Sequence, residues 1–342
     1  MSTRTEIGSL GEFGLIRHLT KQIELKNESS IKGVGDDAAV LSYPEKQILV
    51  TTDLLLEGIH FDLTYVPLKH LGYKSAVVNF SDVYAMNGQP KQITVSLGIS
   101  KRFSVEDLDE FYSGLKLACE IYGVDMVGGD TSASLTGLTI SITCIGEGDK
   151  EKITYRSGAK DTDIVCVSGD LGAAFMGLQL LEREKRLFKD EKEFTPDFGG
   201  KEYLLERQLK PEARKDVIEA LANAGIQPTS MIDVSDGLSS ELLHLSRESN
   251  VGFRIYEERI PIDFQTASMA EQFNMNLITA AMNGGEDYEL LFTVPLAQHD
   301  AVSQLKGIKV IGRVTRPDLG NYLVGRDGGE VELQAQGWNS LS

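Results

Sequence analysis

Gly33–Asp62 reads GVGDDAAVLSYPEKQILVTTDLLLEGIHFD, and the rest of the chain is best understood outward from this stretch. It opens on two adjacent carboxylates, Asp36 and Asp37, set among small residues. The apolar run Ile48–Val50 predicts a strand that empties into Thr51-Thr52-Asp53, and His60 follows seven residues after Asp53. Carboxylates where strands end, beside glycine and alanine, suit hard oxygen-seeking cations better than an apolar core. The habit recurs in NFSD ending at Asp82, VGGD ending at Asp130, and IDVSDG containing Asp233 and Asp236. Taken singly, each Asp–Gly or Gly–Asp dipeptide is an ordinary turn signal. Five such stretches point to a shared chemistry.

Around these stretches the sequence predicts mixed strand and helix. A helix spans residues 6–24, and another spans Lys69–Met86, placing Asp82 among small and apolar neighbours that leave it in need of a partner. Ile93–Ile99 reads as a strand. Ser104 and Asp107 form a relaxed capping box for a helix that runs to about Tyr122. Val124–Val127 leads into Gly128-Gly129-Asp130-Thr131, and Leu138–Ile145 is a clean strand. The polar, turn-rich stretch 146–163 marks a boundary, giving domains 1–150 and 151–342. Beyond it come a strand at Ile164–Ser168, a helix at Ala173–Leu187, and a charged excursion over 182–203 that reads as a solvated helix end plus loop. A helix over Pro211–Ala224, a strand at Met231–Val234 and a helix at Leu238–Ser246 follow; the last offers its N-terminal amides to an anion. Residues 282–294, MNGGEDYELLFTV, join an acidic glycine-rich loop to a strand, and Ile308–Val314 is the last strand. The order predicts a mixed α/β (α+β) layer fold.

Composition narrows the function. The 342 residues are 41% hydrophobic and 25% charged, ordinary for a globular protein large enough for two domains. A formal charge of −17 argues against nucleic acid, which is bound by neutralising phosphates with Lys and Arg. Acid also repels a nucleotide, unless divalent cations on the carboxylates present positive charge to it. No apolar run is long enough to span a bilayer, and the first residues lack a basic start and apolar core, so a cytoplasmic protein is expected. Cys119, Cys144 and Cys166 are isolated and read as buried, reduced thiols. A Walker A loop, a GxGxxG fingerprint, a GxSxG elbow and an HExxH helix are all absent. His18, His70, His244 and His299 are scattered, whereas the Leu-Leu-Leu-Glu-Gly-Ile bridge could fold His60 back toward Asp53.

Taken together and in order, GVGDDAAVL, VTTDLLLEGIHF, AVVNFSDVYAMNGQP, VGGDTS, YRSGAKDTD, IDVSDGLSSEL and NGGEDYELLFTV resemble the thiamine-monophosphate kinase family. That family sits in the superfamily of aminoimidazole ribonucleotide synthetase and selenophosphate synthetase. The resemblance implies an N-terminal α/β domain that binds ATP and metal, and a C-terminal α/β domain that completes the active site. It also implies a homodimer built through a barrel of N-terminal strands. It makes Asp37, Thr52, Asp53, Asp82, Asp130, Asp233 and Asp236 ligands of several Mg²⁺ ions, with Thr51 adding its hydroxyl or carbonyl. Gly129, Arg156 and Ser235 would contact ATP, with Tyr112 against the nucleotide. His60, Glu286 and Trp338 would hold thiamine monophosphate, and Asp36 would be a supporting residue. The implied reaction is phosphoryl transfer from ATP to thiamine monophosphate, with no general base assigned. Selenophosphate synthetases carry a reactive Cys or selenocysteine near the N-terminus, but the first cysteine here is Cys119. Hydrogenase-maturation relatives end in a cysteine, but this chain ends NSLS.

Overall fold

The computed structural model describes residues 18–32, 40–190 and 198–335. Asp36, Asp37, Trp338 and most of the predicted N-terminal helix lie outside the described residues. The chain divides into two compact units: Met1–Val83 with Gly88–Glu151, and Tyr84–Asn87 with Lys152–Ser342.

In the first unit β1 (Ser30–Lys32) and β2 (Val40–Leu41) pair as a small antiparallel ribbon. The order then runs β3 (Gln47–Leu56), α1 (Leu68–Ala85), β4 (Gln89–Ile99), α2 (Val105–Tyr122), β5 (Asp125–Ala133) and β6 (Leu138–Gly148). These four longer strands make one sheet, ordered β3-β6-β4-β5, in which only β4 and β5 run parallel. Along β6, buried Leu138, Ile140, Ile142 and Cys144 alternate with half-buried Thr139, Ser141, Thr143 and Ile145. One sheet face is therefore covered and the other open.

Helix α1 is buried on all sides from Leu71 to Ser81, its polar Lys74, Ser75, Asn79 and Ser81 included. It meets α2 backbone to backbone. A Cβ on Gly72 would sit 1.9 Å from Phe111 O, and one on Gly114 would sit 1.7 Å from Lys69 O. Only glycine permits that approach. The Ser104–Asp107 box caps α2 reciprocally, and Gly123 ends it at φ 70°.

Two strands outrun their sequence signals. β3 continues through Thr51-Thr52-Asp53 to Leu56, and β5 carries Gly128-Gly129-Asp130-Thr131 in its middle. The acids thus lie within strands, not at their ends. Continuous pairing with β6, from Gln47–Gly148 to Leu56–Thr139, outweighs the poor strand propensity of aspartate. Gly129 lets β5 close on β4, because a Cβ there would meet Val95 O at 2.0 Å. β3 and β5 stand at the two ends of the sheet, and among the described residues it does not close into a barrel.

The second unit contains β7 (Ile164–Ser168), α3 (Ala173–Asp190), α4 (Glu202–Leu209), α5 (Lys215–Asn223), β8 (Ser230–Asp233), α6 (Leu238–Ser249), β9 (Gly252–Tyr256), α7 (Phe264–Gln272), α8 (Leu277–Asn283), β10 (Leu290–Val294), α9 (His299–Ser303), β11 (Ile308–Thr315), β12 (Asn321–Val324) and β13 (Glu330–Glu332). Its seven-stranded sheet is ordered β13-β12-β9-β11-β7-β10-β8, and only β9 and β12 are parallel. β7, β8 and β10 are buried along their whole length, so their apolar runs need not alternate. Val165, Val167, Leu242, Phe253 and Leu291 belong to one apolar cluster, while Met176, Leu180, Leu204 and Met269 tie α3, α4 and α7 into another. Helix α4 begins at the end of the charged 182–203 excursion and was not expected from the sequence, with Leu204 and Gln208 buried at i, i+4 spacing. The architecture is mixed α/β in two units, as the element order implied.

Candidate active site

In the first unit the strand alternation sorts the expected ligands by face. Thr51 and Asp53 pair across β6 with buried Cys144 and Ile142, so both point to the covered side where α1 lies. There Thr51 Oγ1 donates to Asp82 Oδ2 at 2.5 Å. Burial, and then the charge on Asp82, push the Asp53 carboxyl from 3.8 up to about 7. One turn before Asp82, Asn79 is buried, its Nδ2 donating to Ser75 O at 3.1 Å while Oδ1 meets no donor among the described residues. Two carboxylates and a hydroxyl thus lie together on the covered side of β3, and every donor is oxygen.

The remaining first-unit residues are placed differently. Thr52 occupies the opposite, open face, where its hydroxyl donates to Ile142 O at 3.1 Å and accepts from Thr143 Oγ1 at 3.2 Å. The Thr52 side chain thus lies on the face opposite Asp53. Asp130 pairs across β4 with Ser96, also on the open face, and its Oδ1 accepts from Thr131 N at 2.8 Å. Among the described residues no three His, Cys, Asp or Glu side chains converge as a metal cluster. His60 does not fold back toward Asp53. Its Nδ1 accepts from Leu56 N at 3.0 Å, pinning an exposed ring to the turn that ends β3. Tyr112 is buried, edge-on to Phe111 at 5.8 Å, and burial pushes its hydroxyl up to about 12.

In the second unit Asp233 ends β8 and is buried, and Ser235 and Asp236 form the turn into α6. The amides of Ser235 and Asp236 do not await an anion. Glu241 Oε1 accepts both, at 3.1 and 2.7 Å. Burial foremost, with the Asp236 charge adding to it, raises the Glu241 carboxyl to about 7. This turn is stacked on the loop carrying Glu286. Glu286 N donates to Ser235 O at 2.7 Å and Tyr288 N to Val234 O at 2.9 Å. Glu286 and Tyr288 are held at φ 58° and 51°, a costly region for side-chain-bearing residues, and such outliers gather at functional loops.

Arg156 is exposed, and its loop is tied to the end of α6: Ser249 Oγ accepts from Gly158 N and Ala159 N, each at 3.1 Å, and donates to Arg156 O at 3.2 Å. His244 is pushed down by burial and then by the charges on Arg156 and Arg247, with Asp236 opposing them. Arg156 and Asp236 therefore act on the same ring.

Sequence reasoning missed the ion network beneath this loop. Fully buried Glu289 pairs with Arg207 at 2.8 Å and with Arg214, and Arg207 lies 3.7 Å from Asp287. Asp287 in turn accepts from Gly172 N at 2.7 Å and Ala174 N at 3.3 Å at the start of α3. The acids of NGGEDYEL were its only local signal.

Comparison with known proteins agrees with this arrangement. Residues 35–147 match the model of the AIR synthase related protein N-terminal domain, and 162–322 match that of the C-terminal domain. The thiamine-monophosphate kinase of Aquifex aeolicus is 37% identical over 320 residues, covering 90% of this chain and 96% of that protein. That of Bacillus subtilis is 32% identical, covering 96% and 99%. A solved structure described as AaThiL complexed with AMPPCP and TMP is 35% identical with a TM-score of 0.74, covering 98% of this chain and 99% of its own. Identity at this level over nearly whole chains, on the same two-unit fold, decides the kinship: the chain belongs to the thiamine-monophosphate kinase family.

Proposed function

We propose that this protein transfers the γ-phosphoryl group of ATP directly to thiamine monophosphate, giving thiamine diphosphate and ADP. One observation carries the reading: whole-length identity to thiamine-monophosphate kinases, a relative of which holds AMPPCP and TMP. The acceptor is a phosphate oxygen, already ionised at neutral pH, so no side chain need remove a proton. What has to be overcome is repulsion between two polyanions. Arg156, exposed on a loop fixed by Ser249, supplies a cation for the phosphates. His60, Glu286 and Trp338 would hold thiamine monophosphate, Glu286 complementing its positive charge and Trp338 stacking on its rings. Gly129 and Ser235 would contact ATP.

The donor set fits Mg²⁺, which is held by one or two carboxylates plus water and substrate phosphates. Asp53 and Asp82 repel one another in partial burial, and a cation relieves that cost. Asp37, Asp53, Asp82 and Asp130, with the Thr51 hydroxyl and the Thr52 carbonyl, are the proposed holders in the first unit, and Asp233 and Asp236 in the second. When bound, the metal neutralises charge on the phosphates.

A homodimer is supported by the open face of β3, where Ile48, Val50 and Leu54 are 42%, 67% and 53% exposed in one row. Three buried thiols without a disulfide fit a cytoplasmic setting, and no helix among the described residues is long and apolar enough to cross a membrane. Turnover of Asp53→Asn, Asp82→Asn and Asp130→Asn tests the acid assignment. Each should fall by orders of magnitude with the fold intact, and near-normal rates in all three would refute it.

A further inference from the structure

Helix α4 touches every carboxylate of the Glu286 loop. Gln208 Nε2 donates to Glu286 Oε2 at 2.9 Å, while the preceding Arg207 serves Glu289 and Asp287 and donates to Asp170 O at 2.9 Å. The helix is itself firmly seated. Gln208 is buried among the residues around it, and α3 approaches so closely that a Cβ on Gly177 would lie 2.2 Å from Leu204 O. The two neighbouring positions divide the labour by charge: the guanidinium goes to the acids that are wholly buried, and the neutral amide goes to Glu286.

We infer that Gln208 is a positioning residue for thiamine monophosphate binding, one that fixes the Glu286 carboxylate. This rests on the reading of Glu286 as the contact for the cationic substrate. The Gln208 amide donates to one carboxylate oxygen and so sets the orientation in which Glu286 meets a positively charged ring. The left-handed backbone at Glu286 fixes where the side chain starts, and Gln208 fixes where it ends.

Steady-state kinetics on the full-length protein, with calorimetric binding of thiamine monophosphate, tests this using Gln208→Met, Gln208→Glu and Glu286→Gln. Gln208→Met keeps length and apolar packing but loses the donor. It should raise KM and Kd for thiamine monophosphate about tenfold, the scale of one hydrogen bond to a charged group, with KM for ATP within about twofold of wild type. Gln208→Glu, nearly isosteric, should weaken binding further at pH 8 and recover toward pH 6 as the added carboxyl protonates. If both Gln208 variants bind thiamine monophosphate like wild type while Glu286→Gln binds it poorly, the inference is overturned and the role of Glu286 stands. An equal rise of both KM values reduces Gln208 to a structural part and also overturns it. Unchanged binding in Glu286→Gln removes the underlying reading, and the inference falls with it.

Discussion

Replacing Asp53 by Asn should stabilise the metal-free protein and abolish its response to Mg²⁺, two opposite effects from one substitution. Burial and Asp82 push the Asp53 carboxyl from 3.8 up to about 7. At about 1.4 kcal/mol per pH unit, that displacement caps the cost of the ionised form at about 4 kcal/mol. The residual solvent access of Asp53 screens part of it, leaving about 1–2 kcal/mol. The sign follows from proton linkage. Between pH about 4 and about 7 the folded protein keeps a proton that the unfolded chain has released, so this contribution is present at low pH and lost as pH rises through about 7. Asparagine does not titrate, so its advantage is complete by pH 8. Thermal denaturation at pH 8 in EDTA should then place the variant roughly 2–6 °C above wild type. With Mg²⁺ and ATP added, wild type should gain stability and the variant should not. A variant less stable than wild type in EDTA, or one stabilised equally by Mg²⁺, would refute the reasoning, because Asp53 would then be held by protein partners instead of awaiting a cation.

Two further outcomes follow from the packing. Gly72→Ala or Gly114→Ala forces a methyl group into backbone less than 2 Å away, so each should cost about 2–4 kcal/mol and lower the thermal midpoint by several degrees; a neutral result would mean that α1 and α2 separate without penalty. Val50→Asp combined with Leu54→Asp charges the open face of β3 without entering the covered core, so if the proposed dimer forms through this face, light scattering should report a dimer for wild type and monomers for the variant, and an unchanged mass would refute that placement of the interface.

What the sequence disclosed depended on how local the cause was. The cap of α2 was legible because Ser104, Asp107 and Gly123 act within their own helix. The full length of β3 was not, because the residues that hold Asp53 in a strand lie on β6, Asp53 itself pairing with Ile142. Once β3 is drawn through Asp53, its two-residue period alone places the Thr52 and Asp53 side chains on opposite faces. The burial of Tyr112 was not legible in its motif, because it depends on how its helix turns that ring inward beside Phe111. The network around Glu289 was hidden for a different reason. Arg207, Gln208 and Arg214 lie beyond the charged 182–203 excursion with no local signal of burial, and their partners are 75 to 82 residues away. The kinship, by contrast, was carried by motifs spread along the chain and needed no geometry.

Phosphorus NMR of the purified protein with ATP, Mg²⁺ and thiamine monophosphate tests direct phosphoryl transfer most simply. Matched growth of thiamine diphosphate and ADP resonances, dependent on both substrates and abolished by EDTA, is the expected result. Persistence of ATP and thiamine monophosphate together, or release of inorganic phosphate without thiamine diphosphate, would contradict it.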